Sequence, residues 1–213
     1  MDSIDEFQDR LKEIDSLVRY ARRCNKDISE YQMFNKIAIV LMITKFEVFV
    51  ENFIDEHSRK VLEQHTSKTI LDSIRESYVK EIVASAYMNK KIKKKEDIVK
   101  NLLCLYGPTE NNLLSLMKFR PKLAFNMGKH GQKELESIFI CHGMESFIKS
   151  REVSHLLESI NSLIDIRNNI VHTDATPSLT DVDVIRYKQC LVDFADLLAE
   201  HIMKNAKMYY NEE

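Results

Sequence analysis

The sequence predicts an all-α protein: a bundle of four or five core helices carrying a smaller helical insertion. Three observations predict it. Only four glycines and three prolines occur in 213 residues, too few for the tight turns of a sheet protein. Lys, Ile, Leu and Glu are the commonest residues, and Lys, Leu and Glu are strong helix formers. Apolar residues recur at steps of three and four along most of the chain, the period of a helix with one buried face. A chain of this length fits one domain, 1–213, and a domain of this size buries roughly 70% of its unfolded surface without disulfide or metal staples.

The elements follow in order. A first helix over about Ser3–Arg23 turns Ile4, Phe7, Leu11, Ile14, Val18 and Ala21 to one side. Asp27 or Ser29 caps a long second helix, about Glu30–Gln64. It is apolar nearly all round between Ile37 and Ile54, which places it in the middle of a bundle. A third helix covers about Thr69–Met88. Five lysines follow at 90, 91, 93, 94 and 95, and Glu96-Asp97 suit the start of a fourth helix that Gly107-Pro108 ends. A short helix from about Thr109 to Lys118 stops before Pro121. Residues 120–131 read as loop, Gln132–Cys141 as a helix ending at Gly143. A helix spans about Arg151–Val171. Thr180 or Asp181 caps a last helix to about Tyr209, and Tyr209-Tyr210 pack rather than stack on bases. Residues 66–150 read as an insertion between the core helices.

Arg167 breaks the pattern of its helix. Val153, Leu156, Leu157, Ile160, Leu163 and Ile164 form the buried stripe, and seven steps from Ile160 lead to an arginine. At about 100° per residue, seven steps leave it only about 20° off that stripe. A permanent charge there needs an anionic partner. That partner is either Asp165 or a neighbouring Glu in a structural ion pair, or a ligand. His172, five residues on, is the side chain suited to proton transfer near neutral pH. Five steps are about 140° of rotation, so the two share a site only if the helix frays near Val171 or a second copy completes it. Asn168 and His172 are four apart and share a face, so Asn168 is placed to orient the imidazole.

The run Arg167-Asn168-Asn169-Ile170-Val171-His172, followed by Thr173-Asp174-Ala175-Thr176-Pro177, resembles the signature of the HEPN superfamily: an arginine, a polar residue, then a histidine. The RiboL-PSP branch is the most similar. Pro177-Ser178-Leu179-Thr180 follows the motif and opens the last helix. Gly128-Lys129-His130-Gly131 and Cys141-His142-Gly143-Met144 stand upstream, and Phe46-Glu47-Val48-Phe49-Val50 resembles the second helix of that group.

The resemblance implies a HEPN-like all-helical homodimer that cuts RNA without metal, acting as a bacterial toxin or antiviral defence effector, with an antitoxin or ATPase as a further partner. In that reading Arg167 and His172 are catalytic and Asn168 supports them. His172 takes the proton from a ribose 2′-OH, and Arg167 grips the phosphate. Lys129 and His130, in their glycine-flanked loop, contact RNA backbone or form an ordinary turn. The lysines at 90–95 grip phosphates or form a solvated helix start. Glu47 is either a buried carboxylate that pairs with Arg167 in the absence of RNA or an exposed glutamate. The alternative function is a non-catalytic HEPN-type dimer that serves as an RNA- or nucleotide-binding adaptor or regulatory partner.

Composition removes other classes. A net charge of −2 does not announce a nucleic-acid binder, although a local patch is compatible with it. The seven histidines show no metal-ligand spacing, and no glycine-rich phosphate loop or G-x-S-x-G elbow occurs, so no metal and no cofactor are expected. Cys24, Cys104, Cys141 and Cys190 are scattered, which reads as reduced, mostly buried thiols of a cytoplasmic protein. Met1–Gln8 is acidic and lacks the apolar core of a secretory leader. The longest apolar run, Ile37–Ile43, is seven residues, far below the ~20 that span a bilayer.

Overall fold

The computed structural model describes residues 1–88, 95–108, 110–118, 131–173 and 177–210, with the side chains of 84–88 outside that description. The described residues form helices and no strand. In chain order these are α1 (Asp2–Arg23), α2 (Ile28–Gln64), α3 (Asp72–Met88), α4 (Lys95–Tyr106), α5 (Leu113–Leu116), α6 (Gln132–Cys141), α7 (Glu145–Ile148), α8 (Arg151–Thr173), α9 (Asp181–Lys204) and α10 (Ala206–Tyr210).

Four long helices make the core. α1 lies along α2, α9 packs on that pair, and α8 packs on α2 and α9. The inner stripe of α1 is buried as its spacing predicts. A chain of phenylalanines ties the helices together. Phe7 of α1 stacks on Phe49 of α2 with ring centroids 4.3 Å apart, and Phe46 meets Phe194 of α9 edge-on at 5.4 Å. Phe139 of α6 then meets Phe194 at 5.8 Å. Each such ring removed from water contributes about 1.5–3 kcal/mol, plus about 0.5–1.5 kcal/mol for ring pairing. Helices α3 to α7 form a second layer between α2 and α8 in the sequence, where an insertion is expected.

Helix ends follow local chemistry. Asp27 caps α2, its carboxylate accepting from the amides of Ser29 and Glu30. Thr180 caps α9 in a reciprocal box with Asp183. Gly143 follows α6 with φ +79°, where a side chain would meet Leu71. α3 starts at Asp72 rather than Thr69, because Thr69 Oγ1 accepts from the Thr66 amide and closes a turn. The predicted 109–118 helix is the single turn α5, capped by Asn112. The last helix breaks at Asn205, and α10 folds back onto α2.

α2 is less enclosed than its composition suggests: Met33 and Ile37 are 47% and 43% exposed. The cysteines also differ from expectation. Only Cys190 is buried; Cys24, Cys104 and Cys141 are partly exposed, and all four are free thiols. None of the described helices is long and apolar enough to cross a membrane.

Candidate functional site

Helix α8 positions the motif. Val153, Leu157, Ile160, Leu163 and Ile164 are buried, with Leu156 at the margin, and Arg167 continues their line one turn further. Its side chain is half-buried. Nη1 donates to Asn168 Oδ1 at 3.0 Å, while Nε is closed off from solvent with no hydrogen-bond partner. No carboxylate of the described residues lies within 4.0 Å of the guanidinium, so the ion-pair reading does not hold for this arrangement. Asp165 is exposed and points to Asn161 instead, at 3.5 Å. Glu47 is half-buried on α2, and Arg167 bonds Asn168 rather than Glu47. A partly desolvated guanidinium whose Nη2 has no acceptor among the described residues suits an anion that arrives from outside.

His172 sits in the last turn of α8 and is exposed. The helix runs without interruption to Thr173, whose hydroxyl donates to the Asn169 carbonyl at 2.6 Å. Fraying near Val171 therefore does not bring the imidazole round to Arg167, and within one chain the two point about 140° apart. Asn168 serves Arg167 through its carbonyl oxygen, a role that spacing alone assigns to the imidazole.

Leu179, just before α9, is tied to α2. The Leu179 amide donates to Gln32 at 3.2 Å, and its carbonyl accepts from Asn35 at 3.1 Å, so the approach to α9 is fixed to the start of α2. Val171 of α8 is 49% exposed, and Met33 and Ile37 of α2 are exposed as well.

Lys129 and His130 lie outside the described residues, as do the lysines at 90, 91, 93 and 94. Lys95 opens α4 and is exposed. Gly131, which follows the loop, has φ +56°, and a Cβ there would stand 3.0 Å from Asn161 Oδ1. The described end of the Gly-Lys-His-Gly run thus closes directly onto α8.

Spacing gives no sign of how the other histidines are used. His57, His65 and His142 are buried, and His57, His65 and His201 wire α10 to the core. His65 Nε2 donates to the Tyr209 carbonyl at 2.9 Å, and Tyr209 Oη donates to Gly143 at 3.0 Å while accepting from His201. His57 bonds Tyr210 Oη at 2.9 Å through Nδ1 and the His142 carbonyl at 3.3 Å through Nε2. A carbonyl only accepts, so Nε2 carries the proton and Nδ1 receives the tyrosine's. Burial drives His57 down to about 3 and His142 to about 4, so both rings are neutral. Tyr209 is fully buried and Tyr210 nearly so; both pack. Among the described residues no group of three or more His, Cys, Asp or Glu comes together to hold a metal.

The RiboL-PSP-HEPN family model matches residues 5–204, nearly the whole chain and the complete α8 motif. The chain belongs to the RiboL-PSP-HEPN family. No curated protein and no solved structure matches it. Membership, together with the all-helical fold, points to an RNase-type or nucleotide-binding role for this HEPN domain.

Proposed function

We propose that this HEPN protein is a metal-independent endoribonuclease whose site combines Arg167 of one protomer with His172 of a second copy. The observation that carries the reading is the half-buried Arg167 guanidinium with no carboxylate beside it among the described residues. A structural arginine in that position would have a counterion; this one is prepared for a phosphate.

His172 accepts the proton of a ribose 2′-OH, and the 2′ oxygen attacks the adjacent phosphorus. The O2′–P bond forms and the P–O5′ bond breaks. The products are a 2′,3′-cyclic phosphate and a 5′-OH whose oxygen takes a proton from the surroundings. Arg167 holds the non-bridging oxygens and offsets the charge that grows on them. Asn168 fixes the guanidinium by accepting from Nη1. Lys129 and His130 contact the RNA backbone, a role supported by the closure of Gly131 onto α8.

The two-copy arrangement is supported by the uninterrupted helix, which holds the two side chains apart within one chain, and by the exposed apolar Val171 beside His172. Homodimerisation puts the missing group opposite each half-site. A toxin or antiviral effector in the cytoplasm, restrained by an antitoxin or an ATPase, is the setting we infer for such an activity.

The test is purified protein against total RNA, with chemical analysis of the product ends. Cyclic phosphates that vanish with Arg167→Ala and with His172→Ala support the reading. Intact RNA with the parent protein overturns it and favours a binding adaptor.

A further inference from the structure

Helix α4 is buried on one side only. Asn101 and Leu105 are fully buried, and Ile98 and Leu102 pack against the core. The opposite side carries Val99, Leu103 and Tyr106, which are 52%, 63% and 62% exposed. Their spacing of four and three residues makes one continuous apolar stripe along a twelve-residue helix. Beside that stripe lies a cleft of about 320 Å³, walled by Leu103, Cys104 and Leu116. A volume in the range of ligand sites, next to an exposed apolar stripe, marks an interaction surface.

The charges of the cleft have one sign. Lys100 and Lys118 line it, no acidic residue does, and neither ammonium has a carboxylate of the described residues within 4.0 Å. Lys118 is near enough to Cys104 for its charge to act on the thiol. The site therefore asks for a ligand with an apolar face and acidic flanks.

Of three occupants, two meet part of that demand and one meets all of it. RNA would satisfy the lysines, but its bases need aromatic faces. Among the described residues of this face the one ring is Tyr106, and its neighbours on the stripe, Val99 and Leu103, are aliphatic. A second copy docked face to face would set Lys100 and Lys118 against themselves. An amphipathic helix with acidic flanks lays its apolar ridge along Val99, Leu103 and Tyr106 and meets both lysines. We propose that the α4–α5 face docks an acidic amphipathic helix of a partner protein.

The test is selection from a displayed library of helical peptides against the whole protein. The expected winners carry Leu or Ile at steps of three and four, flanked by Asp or Glu. They should slow iodoacetamide alkylation of Cys104, read by peptide mass mapping, and leave Cys24 and Cys141 unaffected. Reversing both exposed lysines, Lys100→Glu with Lys118→Glu, should weaken the winners about two- to thirtyfold with no change in melting temperature. Peptides with Lys in place of Glu should recover that loss. Enrichment of basic or uncharged peptides overturns the proposal, as does a failure to enrich any or to shield Cys104. Protection of Cys104 by oligouridylate, or by raising the protein concentration alone, also overturns it.

Discussion

Arg167 donates from Nη1 to Oδ1 of its own neighbour, Asn168, at 3.0 Å, while its Nε is sealed from water without a partner. The chain therefore holds a charged group in a half-buried position and gives it a neutral acceptor. Stability alone does not call for that arrangement, because a desolvated charge is favoured only when an opposite charge or a full set of acceptors meets it.

The Arg167→Ala protein should separate fold from function. Its denaturant midpoint should correspond to a stability within about 1 kcal/mol of the parent, since one neutral hydrogen bond is lost and one orphaned donor is relieved. RNA cleavage should fall about 10²–10³-fold. A structural ion pair would instead cost about 3–5 kcal/mol on truncation. Chemical denaturation and a cleavage assay on the same sample decide between them.

Mixing two inactive proteins tests where the site is completed. Random reassociation of Arg167→Ala with His172→Ala chains yields half mixed dimers. In each, one site draws its arginine and its histidine from the two intact sources. Activity should return to about a quarter of the parent's if the site crosses the two-fold axis. A site made within one chain returns nothing on mixing.

The buried histidines predict acid sensitivity. His57 and His142 have folded values of about 3 and about 4, below the ~6.5 of an unfolded chain. Between those limits the unfolded state binds more protons, so stability is complete above about pH 6.5 and falls as pH drops. Each ring contributes a slope of up to about 1.4 kcal/mol per pH unit between about pH 6 and pH 4. Urea unfolding at pH 7, 6 and 5 should show the loss. His57→Phe should reduce its steepness.

Tyr209 should matter out of proportion to its position. Tyr209→Phe leaves the Gly143 carbonyl and His201 Nε2 without their shared partner, at a cost of about 1–3 kcal/mol. Tyr209→Ala opens a cavity among His57, His201 and Tyr210 and should cost about 3–5 kcal/mol. Thermal melts of the two variants give the order.

Much of this molecule is legible in the sequence where one helix face is strictly apolar. The stripe of α1 and the run from Val153 to Ile164 are buried as their spacing requires, and Arg167 stands out because it interrupts such a stripe. Legibility fails where tertiary contacts outvote local preference. Ala206-Lys-Met-Tyr-Tyr is compatible with an unbroken last helix, and only its bonds to α2 and to Gly143 explain the break at Asn205. The three partly exposed cysteines obey no periodic rule. That Asn168 accepts from Arg167 is also out of reach of the sequence, because i,i+4 spacing shows which side chains share a face and not which bond forms.

The Leu179 peptide is clasped on both sides, by Gln32 and by Asn35. That grip leaves the entry to α9 no freedom to slide along α2. On the proposed two-copy site, a solitary chain would be dormant. Its rate would be governed by how often two chains meet, so dilution should silence the protein more steeply than in proportion to its amount.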